Sequence, residues 1–279
     1  MKYGKEVAYY SGKPAGEARH YKQFFCETED GRECLLQIAR EPADNGVLDR
    51  FVLALRELKE KADEFEEAFA KKKLDPANGI DSKKFLNYDL GFPQVVDSFI
   101  SSEQGGRRIN ILAFREVKRV SDMHPLAKYI RVANERCDLR TSVWIIGKAL
   151  KLIDLAHMMG FSLQEMKTGN ILIQPEQHYV VLFNPGIKMY PDEVPMEQRR
   201  TEIMQTARSV IQLLGGDYQT RTFPLYPDGN DPGFGPYTNH LLTLAGGGEW
   251  DAHEAHARFY NLVDRFWERK FYPATFYPR

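Results

Sequence analysis

Four polar side chains lie in one short stretch, and their types could do chemistry. Glu165 carries a carboxylate that can accept a proton, and Lys167, two residues on, carries a positive charge that can sit against an anion. Asn170 and Asn184 offer neutral oxygens, which hold a hard divalent ion more weakly than a carboxylate does. A second constellation is His253-x-x-His256, which places two imidazoles on one face of a helix, the start of a zinc pair. Cysteines or acids do not join it in a convincing ligand pattern. Nucleophile elbow, Walker loop and dinucleotide fingerprint are all absent from the sequence.

The elements that must position the first group can be read around it. Helical spacing of Val143, Ile146, Leu150 and Ile153 predicts a helix over Asp138–Met159, stopped by Gly160. Two short apolar runs, Ile171–Ile173 and Tyr179–Phe183, flank Pro175-Glu-Gln-His178 and read as a strand hairpin, with Pro185 and Gly186 turning the chain after Asn184. Further upstream, strands are expected at 6–10, 19–28 and 32–39, separated by a Gly12–Gly16 turn and by Asp30-Gly31. A long helix follows over about 47–73, with Asp44 or Asn45 as its cap and Val47, Phe51, Leu55 and Leu58 on one face. Asp75–Gly79 is loop chemistry, and two more strands, 92–100 and 108–114, turn at Glu103–Gly106. Helices are then expected over 121–131, 201–214 and 249–270, with a proline- and glycine-rich stretch at 224–236. The aromatic tail, Phe271–Tyr277, is expected to pack back on its own domain.

Composition narrows the function classes. The chain has 279 residues, 43% hydrophobic and 28% charged, which suits one two-lobed domain with a sizeable core. A net charge of -1 gives no bulk attraction to nucleic acid or an anionic membrane. The longest apolar run is too short for a bilayer span. The first twelve residues lack an apolar core, so a secretory signal is not expected. Three unpatterned cysteines, Cys26, Cys34 and Cys137, point to a reducing, cytoplasmic setting.

Glu165-x-Lys167-x-x-Asn170, a strand pair and then Asn184-Pro185-Gly186 resemble the catalytic and metal loops of a protein kinase, where the pattern is Asp-x-Lys-x-x-Asn and then Asp-Phe-Gly. His157-x-x-Gly160 matches the approach to that loop. Leu35-x-x-Ile-Ala-Arg-x-Pro-Ala-Asp-Asn, Phe92-Pro-x-x-Val-Asp-Ser-Phe, Ile173-x-Pro-Glu-x-His and Leu213-Leu-Gly-Gly-Asp217 resemble short bacterial serine/threonine kinase-like proteins whose catalytic motifs are degraded.

The resemblance implies an α+β, bilobal fold. The small antiparallel β lobe with one long helix would span 1–117, and the mainly helical large lobe 118–279. It places Gln37 where the phosphate-pairing Lys stands and Phe51 where that Lys finds its Glu. Arg40, three residues on in a strand, faces the other way. Gly12 and Gly16 fall in the region of the phosphate-covering loop, but with Pro14 between them they fit a phosphate poorly. Phe114, Glu116 and Val117 fall at the hinge that meets adenine; with Gln37 and Asn170 they form the candidate nucleotide pocket. Glu165 and Lys167 fall at the catalytic loop, and Asn170 and Asn184 at the metal site.

With charge lost at Gln37, Phe51, Glu165 and Asn184, the expectation is a pseudokinase acting as a scaffold or regulatory module toward a protein partner, with no cofactor required. The alternative is an atypical kinase or nucleotide-dependent transferase using Glu165, Lys167 and Asn170, with ATP and magnesium weakly held.

Overall fold

The computed structural model describes residues 8–73, 91–117, 119–225, 227–268 and 270–279. The expected Asp75–Gly79 turn, Glu6 and Val7 lie outside them. The chain is α+β and divides into two compact units, residues 1–123 and 124–279.

The first unit is a five-stranded antiparallel sheet crossed by one helix. Its strands are β1 (Ala8–Glu17), β2 (Tyr21–Thr28), β3 (Glu33–Ala39), β4 (Gln94–Ser101) and β5 (Arg107–Ala113), in the order β1-β2-β3-β5-β4. Helix α1 (Asn45–Lys73) runs between β3 and β4 in sequence and packs on β4 and β5. From Cys34 to Ala39 every side chain of β3 is buried, because both faces of this central strand are covered. Cys26, Cys34, Leu36, Ile38, Ile109 and Ile111 form one core cluster. Along α1, Leu48, Phe51, Leu55, Leu58 and Ala62 are buried at helical spacing. The polar side of the helix carries i,i+4 pairs such as Lys59–Asp63 at 2.6 Å.

Two expectations are corrected here. Gly12–Gly16 is not a turn: β1 continues through it, with register shifts at Pro14 and with Gly12 at φ +73°. Irregular pairing of this kind admits both glycine and proline, so residues that read as a break are a bulged edge strand. The reversal falls at Ala18–His20, where the Ala18 amide donates to the Tyr21 carbonyl at 2.9 Å. Nor does Asn45 cap α1. Its Nδ2 donates to the Gly106 carbonyl at 2.8 Å, and its Oδ1 accepts from the Arg108 amide, which ties the helix start to the β4–β5 turn.

The second unit is built on α2 (Leu139–Met158), which packs against α3 (Met196–Leu213) and α5 (Ala252–Phe266); α4 (Phe234–Ala245) lies against α3 and α5. Asp138 caps α2 by accepting from the Thr141 amide at 2.8 Å. Gly147 on α2 lets the Phe259 ring approach; a Cβ there would stand 2.9 Å from it. Gly160, at φ +82°, ends the helix run.

Three small sheets complete the unit. β6 (His124–Pro125), β9 (Ile171–Gln174) and β10 (Tyr179–Leu182) pair in the order β10-β9-β6. β8 (Phe161–Ser162) pairs with β11 (Lys188–Met189), and β7 (Glu135–Cys137) pairs with β12 (Phe276–Pro278). The aromatic tail does pack back: Phe276 stacks on Tyr129 at 4.3 Å. The Asp138 amide donates to the Thr275 carbonyl, and the Thr275 amide to Thr141 Oγ1 at 2.9 Å.

The helix expected over 121–131 is replaced by a 3-10 turn (Val120–Asp122), strand β6 and a π-helical turn (Lys128–Ala133). Pairing of His124 and Pro125 with β9 overrides the local apolar spacing. All three cysteines are buried free thiols.

Candidate functional site

The loop between β8 and β9 is held from its own backbone outward. The Asn170 amide donates to the Lys167 carbonyl at 2.9 Å, and the Phe183 amide to the Asn170 carbonyl at 2.9 Å, so the start of β9 and the end of β10 close on each other. Asn170 Nδ2 donates to the Glu165 carbonyl at 2.6 Å. Asn184 uses both ends of its carboxamide: Nδ2 donates to the Leu163 carbonyl at 2.8 Å, and Oδ1 accepts from the Gly186 amide at 3.0 Å. Glu165 and Lys167 form an ion pair at 3.0 Å, with both side chains about 60% exposed (61% and 60%). The fold therefore brings Glu165, Lys167 and Asn170 together, with Asn184 on the carbonyl two residues before Glu165. Both asparagines donate through Nδ2 to the loop's own carbonyls, those of Glu165 and Leu163.

Helix α3 supplies what sequence reasoning missed. Glu202 is fully buried, and its carboxylate accepts from His157 Nε2 at 2.9 Å, the Gln164 amide at 2.9 Å, Gln198 Nε2 at 3.1 Å and the Ser162 hydroxyl. One turn on, Gln205 Oε1 accepts from the Met166 amide at 2.9 Å, and Ser209 donates to the Met166 carbonyl at 3.0 Å. These three side chains hold the backbone on either side of Glu165. Gln164, just before it, is kept at φ +62°, a conformation that a non-glycine residue adopts only under constraint. A sequence signal existed: Glu202, Thr206 and Ser209 form a polar stripe at i, i+4, i+7 where an apolar face was due.

In the 1–123 unit, Gln37 belongs to a row of polar side chains crossing the sheet. Gln23, Gln37, Asn110 and Ser98 stand opposite one another on β2, β3, β5 and β4. Gln37 is fully buried. Its Oε1 accepts from Asn110 Nδ2 at 3.4 Å, and the same Nδ2 donates to the Leu48 carbonyl of α1 at 3.2 Å. Ser98 donates to Asn110 Oδ1 at 2.8 Å. Phe51 is 1% exposed, a core residue of α1. At the expected hinge, the Phe114 carbonyl accepts from the Val117 amide at 3.2 Å and from Arg32 at 3.1 Å. Val117 is buried, and Glu116 is exposed at φ +62°. The Phe114 carbonyl and the Val117 amide are thus engaged within the unit.

Arg40 binds the Ala18 carbonyl and Glu17, away from Gln37. His253 lies 3.2 Å from Asp154, while His256 packs on Tyr260 with ring centroids 4.5 Å apart. Burial lowers the pKa of His256 to about 4. Among the described residues, no group of three or more His, Cys, Asp or Glu side chains converges as a metal ion would need. None of the described helices is long and apolar enough to cross a membrane. Compared with protein-family models and with curated proteins, the chain matches none.

Proposed function

We propose that the chain is a pseudokinase: a bilobal, protein kinase-like protein that has lost phosphoryl transfer and acts as a scaffold or regulatory module toward a protein partner. The fold-level support is a five-stranded antiparallel sheet with a long helix between its third and fourth strands, and a mainly helical second unit whose β8–β9 loop is braced by a buried helix. Fold alone does not give an activity, so the functional reading rests on the site.

One observation carries it. At the four positions where the chain departs from what this chemistry needs, it has a buried Gln37, a core Phe51, an exposed Glu165 in place of Asp, and Asn184, whose carboxamide braces the loop. Phosphoryl transfer in this fold works by positioning and by neutralising developing charge. Glu165 reaches one methylene further than the expected Asp, and a misplacement of about 1 Å costs on the order of a hundredfold in rate. The three buried free thiols suit a reducing, cytoplasmic compartment. No cofactor is needed for this role.

A second reading is favoured by the exposed Glu165–Lys167 pair, which leaves an acid and a cation open to a substrate. It makes the protein an atypical transferase that holds ATP and magnesium weakly. A thermal-shift titration with ATP and magnesium, run beside a radiolabelled transfer assay, separates the two. The pseudokinase reading expects no transfer above background. Transfer that is present in the wild type and lost in Glu165→Ala would sink it.

A further inference from the structure

Within the 124–279 unit, a cavity of about 430 Å³ is lined by α2, by α5 and by the chain that follows α5. Trp144, Tyr260, Trp267, Phe271 and Tyr272 all contribute to it, and its size and mainly apolar lining are those of a small-molecule site. The charged groups in the lining are matched by the chain itself. Arg140 pairs with Asp231 at 3.1 Å, and Lys270 with Glu268 at 2.9 Å. The chain's own cations also take the rings that would draw one from outside. Arg140 lies 5.1 Å from the Trp267 centroid and 4.6 Å from that of Tyr272, and Lys270 lies 5.4 Å from the latter. No charge is left over for an ionic ligand to answer, so the lining favours a neutral one.

A second, independent observation gives the shape of that ligand. Trp144, His178 and Phe271 form one stack, with ring centroids 4.5 and 4.2 Å apart and planes inclined by 6° and 16°. His178, in the β9–β10 turn at φ +53°, is the middle ring. Burial lowers its pKa, so the stack is uncharged at neutral pH. The stack ends on Phe271, which lines the cavity and is nevertheless 64% exposed. A terminal ring in water is apolar surface without a partner, and a further planar ring laid on it takes apolar surface of both out of water. An alkyl chain buries area there without the added attraction of stacked rings.

We propose that this cavity binds a small, neutral, planar aromatic molecule whose ring continues the Trp144–His178–Phe271 stack. Val143 and Val263 add aliphatic lining to the rings, so apolar groups meet such a molecule beyond the stack as well. The volume holds a one- or two-ring compound whole. An aromatic side chain of a partner protein is the competing occupant, and its main chain would have to stay outside. The inference goes beyond the pseudokinase reading and does not rest on it.

The test uses the full chain labelled with fluorotryptophan and read by 19F NMR. Trp144→Phe and Trp250→Phe assign the three tryptophan signals, and Trp250, which is not part of the lining, is the internal reference. The probe titrated is 2-naphthol; decahydro-2-naphthol, decanoate and N-acetyl-tryptophanamide serve as comparisons. Saturable movement of the Trp144 and Trp267 signals is expected with 2-naphthol, with Trp250 unmoved and the saturated analogue weaker by about fivefold or more. Phe271→Leu keeps an apolar side chain at an exposed position and removes the ring. It should weaken 2-naphthol by about threefold or more and leave the saturated analogue within about twofold. Val143→Glu puts a charge in the lining and should weaken 2-naphthol by about tenfold or more. Circular dichroism verifies the fold of both variants. Unmoved Trp144 and Trp267 signals, equal binding of the saturated analogue, or undiminished binding in either variant overturns the proposal. So does tighter binding of decanoate, which would make this an acyl-chain site. Tighter binding of N-acetyl-tryptophanamide than of 2-naphthol would make it a docking site for a partner's side chain and overturn the assignment to a small molecule.

Discussion

The β3–α1 region and the β8–β9 loop are held in opposite ways. In the first, Phe51 is absorbed into an apolar helix face, and Gln37 joins a row of neutral polar groups across the sheet. In the second, Glu202, Gln205 and Ser209 hold the backbone through a buried, charged network that leaves Glu165 and Lys167 in solvent. Apolar packing is forgiving: any apolar residue of suitable shape serves. A hydrogen-bonded loop keeps its path only while every donor has an acceptor. The comparison teaches that polar bonds fix the path of a backbone, whereas apolar packing fixes only the shape of what fills it.

Four experiments bear on this comparison. The largest effect is expected for Phe51→Ala, at about 4 kcal/mol of stability by urea unfolding, the cost of a cavity in a packed core. A loss below about 1 kcal/mol would show that the position is not committed to packing. Glu202→Gln should cost about 3 kcal/mol, because a neutral amide cannot accept from all four donors. Loss of Gln164 and Met166 amide protection in hydrogen exchange should accompany it. If those amides stay protected, α3 does not hold the loop.

The third experiment concerns acid. His178, His240 and His256, all in the 124–279 unit, have pKa values depressed by burial, that of His256 to about 4. An unfolded chain binds a proton at each near pH 6.5, before the folded protein does. Stability is therefore full above pH 6.5 and falls as the pH drops from there toward 4. For His256 the loss is on the order of 2 kcal/mol. Burial of Asp138 and Asp154 raises their pKa values and works in the other direction, so the difference between wild type and His256→Phe is the quantity to measure. That difference should change between pH 7 and pH 4; a flat difference excludes the effect. The smallest expected effect is Lys167→Ala, below about 0.5 kcal/mol, because its ion pair is exposed. A larger loss would make Lys167 part of the brace.

Helix α2, with its cap at Asp138 and stop at Gly160, could be read from periodicity and end signals that act within a few residues. So could the strand pair around Pro175–His178 and the burial of Phe51. What escaped was decided at long range. His124 and Pro125 become strand only because β9, some fifty positions on, supplies their partners. Helix α4 was hidden because Gly233, Gly235 and Pro236 at its start signal a break, although proline and glycine are tolerated in a first turn. In the candidate site, the order of Glu165, Lys167 and Asn170 was legible. The direction of the two asparagine carboxamides, and the burial of Glu202 beneath the loop, depend on a helix that starts about thirty residues later.

The pairing of β7 with β12 sets the order of events during synthesis. Thr141 and Thr275, joined by one hydrogen bond, lie 134 positions apart. A ribosome adds about 5–20 residues per second, so helix α2 waits on the order of ten seconds for the strand that completes its first turn. Through that interval Tyr129 lacks the ring that covers it, and Cys137 lacks its strand partner. These contacts of the 124–279 unit form only once residues 275–278 have been made.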